Sequence, residues 1–283
     1  MTLTTAEVRR AVRAALAEDL GRGDVTTLAT VPANATSVAL LNARESLTVT
    51  GIQFVEVAFR ELSAKVKIQK LARDGDRLTA GKPILKISGP SHAILSAERV
   101  ALNFIQRLSG VATATAQFAD AIKSSKAKIL DTRKTTPGWR RFEKYAVKCG
   151  GGKNHRIGLY DMVLIKDNHL VALRDEKPNA IAAAVARARK KYPSLKVEVE
   201  ADTLAQVTQA VEAKADIVLL DNMPLKTLRA AVKIVAGCAL TEASGGVNLK
   251  TVSAIAATGV DYISVGAITH SARAVDIGLD FEA

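Results

Sequence analysis

Five residues with complementary chemistry sit close together: Arg133, Lys134, His155, Arg156 and Lys166. They lie in D-T-R-K-T-T-P-G from Asp131, G-G-G-K-N-H-R from Gly150, and D-M-V-L-I-K-D-N-H from Asp161. Cations follow one apolar run and bracket a second. Guanidinium forks match the two oxygens of a carboxylate, and strand ends are rigid enough to aim them. A small polyanion is the natural ligand. His155 beside Arg156 suits either a structural or a catalytic role. No second His or Cys lies at ligand spacing, so a metal at His155 is not expected.

A second group follows. Glu200 and Asp221 each end an apolar run, where carboxylates could meet ribose hydroxyls or a hydrated Mg²⁺. The competing reading is a pair of salt bridges to rim lysines. Glu198 shares the face of Glu200 in a regular strand, which makes it an inward structural partner. Two glycine turns close the series, Ser244-Gly245-Gly246 and Ser264-Val265-Gly266. Glycine lets backbone N–H groups approach phosphate oxygens, and two such turns after successive late strands predict a phosphate site.

The elements that carry these residues can be read from hydrophobic pattern. Apolar runs at 128–130, 162–165, 196–199, 217–220, 239–241 and 262–265 alternate with Ala/Lys/Arg-rich segments of helical period at 181–191, 204–213 and 225–235. Repeated βα units predict parallel strands closing into an α/β barrel, with the chemistry at their C-terminal ends. Before residue 110 the pattern changes to strands at 38–42, 47–50, 66–71 and 84–87. A helix from about Ser96 follows, with Arg99, Asn103 and Gln106 on its polar stripe. The expectation is an N-terminal α+β open-sandwich domain over 1–110, rejoined by the tail 268–283, and an α/β barrel over 111–267. Trp139 and Tyr145 are expected to pack at the barrel rim.

Composition narrows the function. The chain has 283 residues, 48% hydrophobic and 24% charged, which suits a globular protein. No apolar run approaches the roughly 20 residues of a membrane helix. The N-terminal segment mixes acidic and basic residues where a signal peptide is apolar, so a cytoplasmic location is expected. Cys149 and Cys238 form neither a disulfide framework nor a metal site. A net charge of +12 invites a nucleic-acid reading, but only 4% of residues are aromatic. Stacking platforms between basic residues are missing, and anionic small molecules explain the charge focus better.

The motifs resemble those of the nicotinate-nucleotide pyrophosphorylase (carboxylating), or quinolinate phosphoribosyltransferase, family. The likeness runs from E-D-L-G-R-G-D-V-T-T at Glu18 through G-P-S-H-A-I-L-S-A-E-R-V-A-L-N, D-T-R-K-T-T-P-G, G-G-G-K-N-H-R-I-G-L-Y-D, K-D-N-H, V-E-V-E and L-L-D-N to E-A-S-G-G. The resemblance implies conversion of quinolinate and 5-phosphoribosyl 1-pyrophosphate to nicotinate mononucleotide, CO₂ and pyrophosphate, in NAD biosynthesis. It implies quinolinate contacts at Arg133, His155, Arg156 and Lys166, with Arg99 supplied by a neighbouring subunit of a homodimer or a hexamer of dimers. Phosphoribosyl pyrophosphate would meet Lys134, Glu200, Asp221, Ser244, Gly245, Gly246, Ser264 and Gly266. Glu200 and Asp221 would hold Mg²⁺, directly or through water. Lys134, Lys166, Glu200 and Asp221 are the catalytic candidates, with Lys166 placed to stabilise or protonate a ring carbanion.

Two alternatives share the phosphate half of such a site: a molybdenum-transport-associated paralogue and a nicotinate-using phosphoribosyltransferase. A monocarboxylate would not need the full clamp of Arg99, Arg133, Arg156 and Lys166. A basic RNA-binding protein is the alternative from another class, and its binding would collapse with salt.

Overall fold

The structure, a computed structural model, describes residues 2–282. It contains two compact units: Met1–Ala116 with Arg141–Gly151 and Ser271–Ala283, and Gln117–Arg140 with Gly152–His270.

The first unit begins with α1 (Thr5–Leu20). Thr4 caps it through a capping box with Glu7, and Val8, Val12 and Leu16 form the buried stripe. There follow α2 (Val25–Thr30), β1 (Thr36–Ala43), β2 (Leu47–Thr48), α3 (Ile52–Leu62), β3 (Lys67–Lys70), β4 (Arg77–Leu78) and β5 (Pro83–Pro90). The long α4 (Ser91–Ala121) completes this stretch. Asp74 fixes the start of α3 by accepting from the N–H groups of Gly51 at 3.0 Å and Ile52 at 3.1 Å. Phe54 on α3 stacks on Phe104 of α4 at 4.8 Å between ring centroids. Both rings are buried, and fully burying a side chain of this kind contributes roughly 1.5–3 kcal/mol.

The second unit opens with β6 (Lys128–Leu130). The chain then forms α5 (Arg140–Cys149), most of which belongs to the first unit. Tyr145 therefore does not pack at a barrel rim: its hydroxyl donates to Asp74 at 2.8 Å. The sheet resumes with β7 (Val163–Ile165), followed by α6 (Asp167–Val171), α7 (Ala180–Lys191), β8 (Val197–Ala201), α8 (Leu204–Glu212), β9 (Ile217–Asp221), α9 (Leu225–Val235), β10 (Leu240–Ser244), α10 (Val252–Ala256), β11 (Tyr262–Ser264) and α11 (Ala267–His270). The six strands are parallel, in the order β6-β11-β10-β9-β8-β7. Among the described residues no ladder joins β6 to β7; instead Lys153 makes a parallel bridge to Leu130. The expected parallel α/β sheet is present, with six strands and a seam in its hydrogen bonding.

The last strand, β12 (Ile277–Phe281), pairs antiparallel with β1 of the first unit. That unit's main sheet has the order β12-β1-β5-β3. Arg44 binds Asp280, and Glu45 binds Arg273 and accepts from the N–H of Asp276 at 2.7 Å. Both cysteines are free.

Candidate active site

Asp131, one residue beyond β6, is fully buried. Its two oxygens accept from the His155 N–H at 2.9 Å and the Asn154 amide at 2.7 Å. One carboxylate thus ties the loop after Gly150–Gly152 to the end of β6. That fixes His155 and Arg156 relative to Arg133. Arg140 braces the same region, donating to Thr135 at 3.0 Å and to the carbonyl of Ile157 at 3.1 Å. Thr269 donates to the carbonyl of Lys134 at 2.7 Å, which holds the β6 loop against the turn after β11.

These elements surround a cavity of about 850 Å³ at the C-terminal ends of the strands. Arg133, Lys134, His155, Arg156, Lys166, Glu200, Asp221, Ser244, Gly245, Gly246, Ser264 and Gly266 all line it. Twelve of the thirteen residues expected from sequence therefore meet in one place. Arg99 is the exception: it is exposed on α4 and absent from this lining.

Charge inside the cavity is unevenly compensated. Lys166 binds Glu200 across the β7–β8 gap. Burial, and then the nearby Arg133, push the Arg156 guanidinium below its ordinary pKa. Arg156 also donates to the carbonyl of Met162 at 3.2 Å. Two guanidinium groups that repel one another favour an anion between them.

The glycine turn after β10 is sterically obligatory. Gly245 has φ +96°, and a Cβ there would lie 2.0 Å from Asn222 Oδ1. Asn222 in turn donates to Asp221 at 2.7 Å and, through its N–H, to the carbonyl of Ser244 at 2.9 Å. Asp221 and the glycine turn are thus held together. Glu200 and Asp221, on adjacent strand ends facing the same space, form an all-oxygen donor pair that suits Mg²⁺ with retained waters and substrate oxygens.

Beneath the cations lies a cluster that sequence reasoning only half found. Glu198 and Glu242 are buried, at 0% and 1% exposure. His155 Nε2 is 3.1 Å from Glu198 Oε2 and 3.6 Å from Glu242 Oε1. Despite that proximity, neither Glu198 oxygen nor Glu242 Oε2 completes a hydrogen bond among the described residues. Ser264 donates to Glu242 Oε1. Burial, and then the Glu198 charge, hold the Glu242 carboxyl well above the usual carboxylate range. The three ligand-type atoms lie within 4.8 Å of one another. However, His155 Nδ1 accepts from the Arg156 N–H at 2.7 Å, so in the neutral ring Nε2 carries the proton and is no metal ligand. The visible signal was the alternation Glu198/Glu200; Glu242 only follows the apolar run 239–241.

A parallel α/β sheet whose strand ends carry clustered cations, two carboxylates and glycine turns defines an enzyme site for small polyanions. The chain belongs to the quinolinate phosphoribosyl transferase family: the model of that family's C-terminal domain matches residues 111–280, and that of its N-terminal domain matches 24–109. The nicotinate-nucleotide pyrophosphorylase [carboxylating] of Mycobacterium leprae is 42% identical over 278 residues, 96% of each chain. A probable enzyme of that name from Bacillus subtilis is 41% identical, over 93% of this chain and 89% of its own. The solved structure of the nicotinate-nucleotide pyrophosphorylase from Francisella tularensis matches with a TM-score of 0.93 at 42% identity, over 99% of this chain and 98% of that one.

Proposed function

We propose that the chain is a decarboxylating phosphoribosyltransferase that joins quinolinate to 5-phosphoribosyl 1-pyrophosphate, releasing pyrophosphate, CO₂ and nicotinate mononucleotide for NAD biosynthesis. One observation carries this reading: Arg133, Lys134, Arg156 and Lys166 face one cavity with Glu200, Asp221 and two glycine turns. Nicotinate would leave part of that cationic charge unmatched, so the dicarboxylate is favoured over the monocarboxylate.

In this reading Arg133 and Arg156 fork onto the two ring carboxylates, and Lys166 adds a third positive contact. Fixing the ring puts its nitrogen in line with C1 of the ribose. The N–C1 bond forms as the C1–O bond to pyrophosphate breaks, with positive charge building on the sugar. Glu200 and Asp221 lower the energy of that charge. Lys134 and the backbone N–H groups of the Gly245-Gly246 and Gly266 turns hold the phosphate oxygens. Glu200 and Asp221 are also the residues that would hold Mg²⁺, which when bound supplies charge neutralisation at the departing pyrophosphate. Ribosylation makes the ring a pyridinium, whose positive nitrogen stabilises the electron pair left on the adjacent ring carbon when the carboxylate departs as CO₂, and that carbon then takes up a proton.

Arg99 has no partner role in this cavity, so the clamp would be completed by Arg99 of a second copy in a homodimer, or in a hexamer of dimers. No helix among the described residues is long and apolar enough to cross a membrane. That agrees with a cytoplasmic location, which we also propose.

The test is incubation with quinolinate, phosphoribosyl pyrophosphate and Mg²⁺, scoring CO₂, pyrophosphate and mononucleotide together. Stoichiometric release of all three is expected, with nicotinic acid a poor substitute. Equal turnover of nicotinic acid without CO₂ would move the assignment to the monocarboxylate enzyme.

A further inference from the structure

Among the described residues, three other than glycine have a left-handed backbone: Lys214, Asn222 and Ala236, at φ 60°, 51° and 47°. Lys214 and Ala236 close α8 and α9, where that conformation is a usual way to end a helix. Asn222 ends no helix. It directly follows β9 and Asp221, and it lines the cavity. A side chain on such a backbone is strained, and strain of this kind gathers where a site must be held in one shape. Asparagine tolerates it better than most residues, which accounts for its presence in a turn but not for what its amide does.

That amide is engaged on both flanks. Its Nδ2–H donates to Asp221 Oδ2 at 2.7 Å, and a Cβ on Gly245 would lie 2.0 Å from its Oδ1 and 2.5 Å from its Cγ. The amide thus fills the space that a side chain on Gly245 would need. The Asn222 backbone N–H adds a bond to the Ser244 carbonyl at 2.9 Å, beside the point where Asp221 stands opposite Ser244 in the β9–β10 pair. One residue therefore touches both the carboxylate assigned to ribose and Mg²⁺ and the turn assigned to phosphate. An aspartate at a strand end is otherwise able to rotate about its side-chain bonds; with Oδ2 held, Oδ1 is presented in one direction.

We propose that Asn222 is a positioning residue for phosphoribosyl pyrophosphate: it fixes the Asp221 carboxylate relative to the Ser244-Gly245-Gly246 turn. This assignment rests on the phosphoribosyltransferase reading above. The ribose and the phosphates of that ligand are joined covalently, so the groups that meet them must keep a matching separation. Asn222 sets the separation before the ligand arrives, and binding then has no rotating carboxylate to arrest. Quinolinate is met by the Arg133 and Arg156 forks instead, and its binding should be indifferent to the amide.

Asn222→Gly separates the amide from the turn, because glycine takes a left-handed backbone without strain and keeps the N–H bond to Ser244. Its melting temperature should hold or rise. The Kd for phosphoribosyl pyrophosphate with Mg²⁺, measured by calorimetry without quinolinate, should weaken about tenfold, the scale of one hydrogen bond to a charged group. The KM for phosphoribosyl pyrophosphate should rise in step, and that for quinolinate should stay unchanged. Asn222→Asp keeps the side-chain shape and the tolerance for this backbone but loses the donor, and it should weaken the same Kd at least as much. Either variant binding phosphoribosyl pyrophosphate as tightly as the unmodified chain would overturn the assignment. Equal losses for both substrates would also overturn it, by making Asn222 merely structural. An unmodified chain that does not bind phosphoribosyl pyrophosphate at all would instead refute the parent reading.

Discussion

The Arg156 backbone N–H donates to His155 Nδ1 at 2.7 Å. A bond between adjacent residues thereby selects the tautomer of the histidine and turns its Nε2–H toward two buried glutamates. Asp131 reinforces this by taking the His155 N–H itself. The loop is bonded on both sides of the ring, so its orientation is set before any ligand arrives. Nitrogen-15 NMR of the ligand-free protein should show a protonated Nε2 and an unprotonated Nδ1 on His155. The opposite pattern would remove the basis for this orientation.

Arg156→Lys keeps the charge but loses the fork. The KM for quinolinate should rise at least tenfold, the equivalent of roughly 1.4 kcal/mol, with a much smaller change in the KM for phosphoribosyl pyrophosphate. Steady-state kinetics with each substrate varied in turn makes the distinction. Equal effects on both would place Arg156 outside the dicarboxylate clamp.

Quinolinate should also stabilise the folded chain, because it relieves the repulsion between Arg133 and Arg156. At a concentration 100 times its Kd the gain is about 2.7 kcal/mol by mass action. A thermal shift should follow quinolinate in proportion to log concentration, and nicotinate far less.

Gly245→Ala and Gly266→Ala differ in what they displace. At Gly245 the added methyl meets Asn222 Oδ1 at 2.0 Å on a left-handed backbone; at Gly266 its nearest neighbours are flexible side-chain atoms at 3.2 Å. Gly245→Ala should cost about 1–3 kcal/mol of stability and most affinity for phosphoribosyl pyrophosphate. Gly266→Ala should fold normally with a milder rise in KM. Denaturant melts and kinetics on both variants check the order.

The anchor of the C-terminal strand predicts an acid response. Hydrogen bonds from Arg273, then from the Asp276 N–H, lower the Glu45 carboxyl from 4.5 to about 2. A carboxyl depressed in the folded state contributes stability above its unfolded pKa. That contribution fades as pH falls from about 4.5 toward 2. Glu45→Gln should flatten the pH dependence of unfolding in this window and leave it unchanged at neutral pH and above. Denaturant midpoints across pH would reveal it.

Much of the sheet was legible because each strand is a short apolar run ending in a polar residue. Ile217–Asp221 and Leu240–Ser244 are found at the positions their sequences suggest. The cavity residues were legible for the same reason, since they follow those runs. The seam between β6 and β7 was not, because strand patterning is local and closure depends on which edges meet. Nor was the position of α5: Phe142, Ala146 and Val147 mark a buried face without saying which unit covers it. Glu242 stayed hidden for a third reason. Its meeting with Glu198 requires the order β8-β9-β10 and the register that sets Glu198 opposite Ile217 and Glu242 opposite Leu219. α1 was overlooked although Thr4 and Glu7 spell a capping box.

The pairing of β12 with β1 has a consequence for biosynthesis. The edge of the first sheet is supplied by residues more than 230 positions after the strand they complete. On the ribosome, β1 must wait with one side unpaired while all six parallel strands emerge. A nascent chain arrested before Ile277 would therefore present an open strand edge to its neighbours, and Ile277–Phe281 act as the clasp that closes it.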